Sequence, residues 1–189
     1  MKKVAVILAE GFEEIEALTS VDVLRRAGAI ASIVGLNDVN IKGCHNICVK
    51  ADVTLREMKE LDYDAIVLPG GLPGASNLAN DTRLKAILQN FDKSNKLICA
   101  ICAAPMVLES AGVLKDHFVC YPGFEENVRS DKRGYDNGKS VLRDQNIITA
   151  KGPAFSMEFA LFIVKNLLGD EAYLKVKNDL LYKYLIKIK

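Results

Sequence analysis

The sequence predicts an α/β fold with a mostly parallel β-sheet covered by helices on both faces. Short runs rich in Val, Ile, Leu and Ala alternate along the chain with segments of helical period, and buried parallel strands have this composition. The strand-like runs are Val4–Ala9, Ile30–Gly35, Ala65–Leu68, Leu97–Ile101 and Ile147–Ala150. Strands that alternate with helices form right-handed βαβ units, which produce this kind of sheet.

Signals for helix starts lie between these runs. Thr54 and Glu57 form a T-x-x-E capping box, which predicts a helix that carries Leu55, Met58 and Leu61. Asp81 is suited to cap a following helix, because its carboxylate can accept from free N–H groups of the first turn. The apolar face of that helix would consist of Leu84, Ile87, Leu88 and Phe91.

Two more helices are predicted near the end of the chain, and two stretches are irregular. Phe155, Phe159, Phe162 and Ile163 form an apolar stripe that Gly169 ends. Tyr173, Val176, Leu180 and Tyr184 repeat the pattern in the C-terminal segment. Val39–Val49 is predicted as a hairpin or an edge excursion, and Tyr121–Leu142 as an insertion that contains loops.

Length and composition restrict the class of protein. The 189 residues are expected to form one domain, 1–189, and 25 Lys and Arg against 24 Asp and Glu argue against a nucleic-acid-binding protein. No apolar run reaches the ~18 residues of a membrane span, and the run after Met1 is too short for the core of a signal peptide. Five cysteines do not suggest a secreted disulfide framework. A cytoplasmic protein without membrane partners is expected.

Cys102 follows the predicted strand Leu97–Ile101 and precedes Pro105, which suits the first turn of a helix. A side chain at such a sharp turn projects from the top of the sheet, like the nucleophile of a hydrolase elbow. The N-terminus of the following helix, which ends near Gly112, would lower the thiol pKa. A buried, inert cysteine is the alternative.

The other cysteines give weaker signals. Cys99 and Cys102 form a C-x-x-C, but Cys99 lies inside the strand, so the two side chains point to opposite faces. Cys44, His45 and Cys48 match metal-ligand spacing poorly, and no metal is expected. Cys44, Cys48 and Cys120 are interpreted as ordinary thiols that could be oxidised.

Carboxylates and glycines follow two other strands. Glu13, Glu14 and Glu16 lie in the first turns of a helix, where the dipole favours acids, and periodicity does not say which of them faces a site. A carboxyl beside a thiolate would have a raised pKa and could exchange protons with it. Gly70-Gly71 either makes a tight turn or offers an N–H that, with that of Ala103, could bind an oxyanion.

Several motifs together resemble the DJ-one family of the ThiJ/PfpI superfamily. They are the segments 6–16, 21–28, 67–71, 100–105 and 151–153, which read VILAEGFEEIE, VDVLRRAG, VLPGG, AICAAP and KGP. The resemblance covers essentially the whole chain. It implies a flavodoxin-like three-layer sandwich with an extra C-terminal helix and a homodimeric assembly.

The resemblance also implies roles for individual residues. Cys102 is similar to the reactive cysteine of the family, and Glu16 to the carboxylic acid that hydrogen-bonds it. Gly71 and Ala103 match the backbone donors of the anion pocket, and Arg26 matches an arginine near the dimer interface. The residues expected beside the pocket are Gly70, Tyr121, Gly152 and Pro153.

Two positions depart from many relatives, and a third distinguishes the chain from the protease-like branch. Tyr121 precedes Pro122 where many members have a histidine, so a base is missing there. Ala104 replaces the glycine of the more common Cys-Ala-Gly-Pro. Ala103 occupies the position where the protease-like branch has histidine directly after cysteine, which argues against a protease.

The resemblance implies a cofactor-free enzyme with glyoxalase and deglycase activity in oxidative and carbonyl stress defence. Its substrates would be small α-oxoaldehydes such as methylglyoxal and early adducts on glycated amines or thiols. A redox sensor or chaperone is the alternative, because an accessible reactive cysteine is also oxidised to sulfinic acid by peroxide. The same residues serve both functions, so the sequence leaves the two open.

Overall fold

The computed structural model describes residues 1–182 and residue 184, and within them it contains nine strands and seven α-helices. The strands are β1 (Lys3–Leu8), β2 (Ile30–Gly35), β3 (Asn40–Lys42), β4 (Cys48–Lys50), β5 (Val53–Thr54), β6 (Ala65–Leu68), β7 (Leu97–Ile101), β8 (Val141–Asp144) and β9 (Ile147–Ala150). The helices are α1 (Glu14–Arg26), α2 (Gly74–Asn80), α3 (Thr82–Lys93), α4 (Pro105–Ser110), α5 (Glu125–Val128), α6 (Ser156–Leu168) and α7 (Asp170–Asp179). The predicted α/β class is confirmed.

The central sheet has seven strands in the order β5-β2-β1-β6-β7-β9-β8. All neighbours pair in parallel except the edge strand β8, which is antiparallel to β9. The short strands β3 and β4 pair antiparallel outside this sheet, which confirms the predicted hairpin. Because the strands are parallel, β1, β6, β7 and β9 end at one edge of the sheet, where α/β proteins bind ligands.

Two apolar layers separate the sheet from its helices, which gives the three-layer sandwich. Val4, Val6 and Leu8 of β1 belong to one core cluster, which Phe159 of α6 also joins. Ala5 and Ile7 belong to the opposite cluster. Successive side chains of a strand point to opposite faces, so β1 contributes to both layers. Complete burial of each large side chain stabilises the fold by about 1.5–3 kcal/mol.

Two predicted helices are confirmed with their caps. The Asp81 carboxylate accepts a hydrogen bond from the Leu84 N–H at 2.8 Å and begins α3. The buried face of α3 is the predicted one. Helix α6 ends before Gly169, whose φ of +92° is a left-handed conformation that glycine adopts without strain.

The helix predicted after Thr54 does not form. Glu57 accepts from the Thr54 N–H at 3.0 Å and from its hydroxyl at 2.8 Å, as in a capping box. Thr54 is itself the last residue of β5, and the chain continues as turns and a short 3₁₀ helix, Glu60–Asp62, before β6. Leu55 is buried, whereas Leu61 is 84% exposed, so no apolar face supports a helix there.

Smaller differences concern the remaining predicted segments. The insertion 121–142 consists mainly of turns, but it contains the single-turn helix α5 and the start of β8. The extra C-terminal helix is α7, which ends at Asp179, so Leu180 and Tyr184 lie beyond it. No helix in the described ranges is long and apolar enough to cross a membrane.

Candidate active site

Cys102 occupies a sharp turn between β7 and α4. Its φ of +65° is a left-handed conformation that is strained for a residue with a side chain. The turn is held by hydrogen bonds of its own backbone, since the Cys102 N–H donates to the Ala150 carbonyl at 2.9 Å and its carbonyl accepts from Tyr121 at 3.0 Å. Pro105 then begins α4. The predicted elbow geometry is confirmed.

Glu16 lies on the first turn of α1, with its side chain completely buried. Its Oε2 accepts a hydrogen bond from the Gly70 N–H at 2.7 Å, while Oε1 has no hydrogen-bond partner among the described residues. Burial raises the pKa of this carboxyl to about 7, the negative charge of Glu13 acts in the same direction, and the Gly70 N–H opposes both. A carboxyl with this pKa can act either as an acid or as a base near neutral pH.

The thiol of Cys102 interacts with this carboxyl and with two backbone donors. Burial raises its pKa, and the charge of ionised Glu16 raises it further. The N–H groups of Gly71 and Ala103 act in the opposite direction, but they do not outweigh burial. The lowered pKa expected from the helix terminus is therefore wrong.

Cys102 and Glu16 titrate as one coupled pair. The contribution of Glu16 to the thiol pKa requires a charged carboxylate. Protonation of Glu16 removes that repulsion and supplies a donor for the sulfur. A single proton on the pair can thus reside on the carboxyl with a thiolate, or on the sulfur with a carboxylate.

Gly70 and Gly71 allow the loop after β6 to approach this pair. A Cβ on Gly70 would lie 2.7 Å from the Cys102 Cβ and 3.0 Å from Glu16 Oε2. Gly71 has a φ of +86°, and a Cβ there would lie 2.4 Å from the Glu13 nitrogen. The close backbone approach inferred for this pair is confirmed, because a larger side chain at either position would collide with the site.

An open pocket of about 300 Å³ leads to the sulfur. Its lining consists of Gly71, Leu72, Cys102, Ala103, Tyr121 and Phe124. Leu72 and Phe124 were not predicted from the sequence. Leu72 directly follows the Gly-Gly turn, which is a usable signal, but Phe124 belongs to the insertion, whose path the sequence does not reveal.

Of the residues expected beside the pocket, some lie next to Cys102 and others line a neighbouring cavity. Tyr121 is 50% exposed and forms part of the wall, and a Cβ on Gly152 would lie 3.1 Å from its ring and 3.9 Å from the Cys102 sulfur. Pro153 lines a smaller cavity of about 100 Å³, which Tyr121 and Gly152 also line. Arg26 lies at the other end of α1, paired with Asp22 at 2.6 Å, and does not line the pocket at Cys102.

The three glutamates of α1 have different surroundings. Glu13 caps the helix, since its Oε2 accepts from the Glu16 N–H at 2.7 Å. The Glu14 carboxylate faces the β3–β4 hairpin, where it contacts Cys44 and His45. Among the three carboxylates, that of Glu16 accepts a hydrogen bond from the loop that carries Gly70, whereas Glu13 contacts this loop through its backbone N–H, which donates to the Gly70 carbonyl at 2.9 Å. The tertiary structure therefore distinguishes positions that periodicity left equivalent.

The remaining thiols lie away from the pocket lining. All five cysteines are free of disulfides. Cys99 is completely buried in the core, and burial raises its pKa. Burial also raises the pKa of Cys120 to about 12. The C-x-x-C therefore does not present two exposed sulfurs.

Comparison with known proteins agrees with this geometry. Residues 2–166 match the sequence model of the DJ-1/PfpI family. The chain is 37% identical over 185 residues to the zebrafish (Danio rerio) Parkinson disease protein 7 homolog, covering 96% of this chain and 98% of the relative. It is 36% identical over 172 residues to the glutathione-independent glyoxalase DJR-1.2 of Caenorhabditis elegans, covering 90% and 91% respectively.

A solved structure shows the same fold. The structure described as Toxoplasma gondii DJ-1, oxidized, superimposes with a TM-score of 0.89 at 36% identity, and the match covers 96% of this chain and 98% of that chain. The flavodoxin-like architecture is therefore confirmed. The family match spans most of the sequence, including the turn at Cys102 and the buried Glu16, and the chain belongs to the DJ-1/PfpI family.

Proposed function

We propose that the protein is a glutathione-independent, cofactor-free glyoxalase that converts methylglyoxal-type α-oxoaldehydes into α-hydroxy acids. The observation that carries the proposal is the contact between a buried carboxyl of pKa about 7 and a thiol at the bottom of an open pocket. A general acid and base is most efficient when its pKa lies near the working pH. The relative named as a glutathione-independent glyoxalase supports the same activity.

In the first step the Cys102 sulfur attacks the aldehyde carbon of the substrate. The thiol proton passes to Glu16, the carbon–sulfur bond forms, and the electrons of the C=O bond move to oxygen. The N–H groups of Gly71 and Ala103, which act on the sulfur, would stabilise that oxyanion. The oxyanion then takes the proton from Glu16, which gives a hemithioacetal.

In the second step Glu16 moves a proton between adjacent carbons. Its carboxylate removes the hydrogen from the former aldehyde carbon as a proton, which leaves an enediolate across the two oxygenated carbons. Glu16 then returns this proton to the neighbouring carbon, and the hydroxyl proton of the first carbon passes to the neighbouring oxygen, which leaves an α-hydroxy thioester on Cys102. Water then hydrolyses this thioester, which releases lactate when the substrate is methylglyoxal and returns the thiol.

The pocket lining favours small uncharged carbonyl compounds. The six lining residues include no lysine or arginine, so a phosphate or carboxylate on the substrate would find no side-chain counter-charge. Because the pocket is open, we extend the proposal to early adducts of these aldehydes on amines or thiols. The Cys102 sulfur would displace the amine or thiol from the carbon of such an adduct, and the thiol proton would pass through Glu16 to the leaving group. This gives the same hemithioacetal and then the same thioester.

The test is lactate formation from methylglyoxal in glutathione-free, metal-free solution. We expect turnover by the unmodified protein and none by Cys102→Ala. Cys48→Ala removes an exposed cysteine outside the pocket, and it should retain full activity. Lactate formation by a folded Cys102→Ala variant, or its absence from the reduced unmodified protein, would disprove the mechanism.

A redox sensor is the second candidate. The same N–H donors and the Glu16 proton would hydrogen-bond the oxygens of a sulfinate on Cys102, and the Toxoplasma relative is described as oxidised. Limited peroxide followed by mass spectrometry should add two oxygens to Cys102 before Cys48 or Cys120. Equal oxidation of Cys48 would contradict a sensor.

We also propose a homodimer that forms through the outer face of α1. Ile15 and Leu18 are 56% and 38% exposed, and the Asp22–Arg26 pair continues the same face at helical spacing. Leu18→Glu should convert a dimer to monomers in analytical ultracentrifugation. Leu174→Glu alters a more exposed leucine on α7 and should have no effect. A Leu18→Glu variant that still forms dimers would contradict this interface.

A further inference from the structure

A second cluster of reactive side chains lies where the β3–β4 hairpin packs on the first turn of α1. It consists of Glu14, Cys44 and His45, whose potential ligand atoms all lie within 4.8 Å of one another. Cys44 Sγ is 3.2 Å from His45 Nδ1 and 3.4 Å from Glu14 Oε2. His45 Nδ1 is 2.9 Å from the same oxygen.

These separations are close to those around a tetrahedral zinc ion. With Zn–S near 2.3 Å and Zn–N and Zn–O near 2.0 Å, the sulfur should lie about 3.5 Å from each of the other ligand atoms, and the nitrogen and oxygen about 3.3 Å apart. The observed triangle has the same shape and is smaller by a few tenths of an ångström. The His45 side chain is 70% exposed, and its rotation would lengthen the distances from Nδ1 to the sulfur and to the carboxylate oxygen.

The buried carboxylate is oriented by the hairpin backbone. Glu14 Oε1 accepts from the His45 N–H at 2.7 Å and from the Ile47 N–H at 3.4 Å, which leaves Oε2 directed at the sulfur and the imidazole. A Cβ on Gly43 would lie 2.3 Å from Oε1, so the hairpin packs directly on this group. Outer hydrogen bonds of this type fix ligands in metal sites.

The ion pair between Glu14 and His45 does not by itself explain why the Cys44 thiol lies beside both groups. The Cys44 N–H donates to the Phe12 carbonyl at 2.9 Å, which holds the thiol over both partners. A soft sulfur, an imidazole and a carboxylate together form a ligand set typical of zinc rather than of calcium or magnesium.

We propose that Glu14, Cys44 and His45 bind one zinc-like divalent cation, which joins the β3–β4 hairpin to α1. Water completes the coordination on the exposed side of His45. On binding, the Cys44 thiol releases its proton to solvent and the sulfur forms a bond to the metal, without a change of oxidation state. This site is separate from the proposed glyoxalase chemistry and does not depend on it.

The experiment is a competition titration of the full chain with Zn²⁺ against a chromophoric chelator. A Cys102→Ala background removes the other thiol in an open pocket. We expect one Zn²⁺ per chain, and Cys44→Ser should weaken binding by more than the 10–100-fold typical of outer-shell changes. Cys48→Ser, the matched control in the same hairpin, should leave the affinity unchanged.

Co²⁺ provides a direct readout of the ligands. The background protein should show a thiolate-to-cobalt charge-transfer band and tetrahedral ligand-field bands, and both should disappear in Cys44→Ser and weaken in His45→Gln. Circular dichroism verifies that these variants fold. Absence of stoichiometric binding, equal losses in Cys44→Ser and Cys48→Ser, or a cobalt spectrum without the charge-transfer band would each overturn the proposal.

Discussion

Glu16→Gln tests the site most directly, because the buried carboxyl affects stability and activity in opposite directions. The pKa of Glu16 is raised from 4.5 to about 7, so the folded state binds a proton more tightly than the unfolded state. The stabilisation of the folded state by protonated Glu16 is therefore at its full value below pH 4.5, and it is lost as the pH rises to about 7. Over that window the ionisation of Glu16 costs the folded protein about 3 kcal/mol.

Glutamine keeps an oxygen that can accept from the Gly70 N–H but carries no charge. The variant should therefore be more stable than the unmodified protein at pH 8, by up to about 3 kcal/mol, and nearly equal to it at pH 4.5. Urea unfolding at a series of pH values measures this difference. The control, Glu171→Gln, changes an exposed glutamate on α7 and should leave the pH profile unaltered.

The same variant should lose most of its glyoxalase activity. A positioned acid and base contributes about 10²–10⁴-fold to a rate, so the turnover number of Glu16→Gln should fall by about that factor. In the unmodified protein kcat/KM should rise with pH through about 7, as the doubly protonated pair loses one proton. A Glu16→Gln variant that is less stable than the unmodified protein at pH 8, or whose kcat/KM still rises with pH through about 7, would refute this prediction.

Three further predictions concern neighbouring positions. Gly70→Ala should abolish turnover and destabilise the protein by about 1–3 kcal/mol, because its Cβ would lie 2.7 Å from that of Cys102; unchanged kinetics would contradict it. Cys102→Gly should be more stable to urea than Cys102→Ala by about 1–2 kcal/mol, since the φ of +65° is strained only for alanine. Glu14→Gln should lower stability at pH 7 by about 1–3 kcal/mol through its lost charged hydrogen bonds. Because hydrogen bonds from His45 help to lower the pKa of Glu14 to about 2, that difference should vanish in urea titrations as pH falls from 4.5 to about 2.

Local sequence patterns were sufficient to predict where most strands of the central sheet lie. The strands from Ile30, Ala65, Leu97 and Ile147 begin and end where expected, because buried parallel strands need continuous apolar runs. The Asp81 cap and the turn at Gly169 depend on single residues with strong local preferences. The helix predicted after Thr54 does not form. Its capping signal is local, and the apolar face that would stabilise a helix is missing there.

The sequence by itself determined the fold class, the elbow at Cys102 and the acidic start of α1, because periodicity and turn chemistry act over a few residues. Periodicity did not distinguish the three glutamates; the family resemblance indicated Glu16, and the tertiary structure supplies the physical reason, the contact with Gly70 across 54 positions. The tertiary structure also decided the pKa values, because burial by distant elements outweighs the effect of a local helix terminus on Cys102. The cluster of Glu14 with Cys44 and His45 arises in the same way: the hairpin folds back onto α1 and joins residues about 30 positions apart.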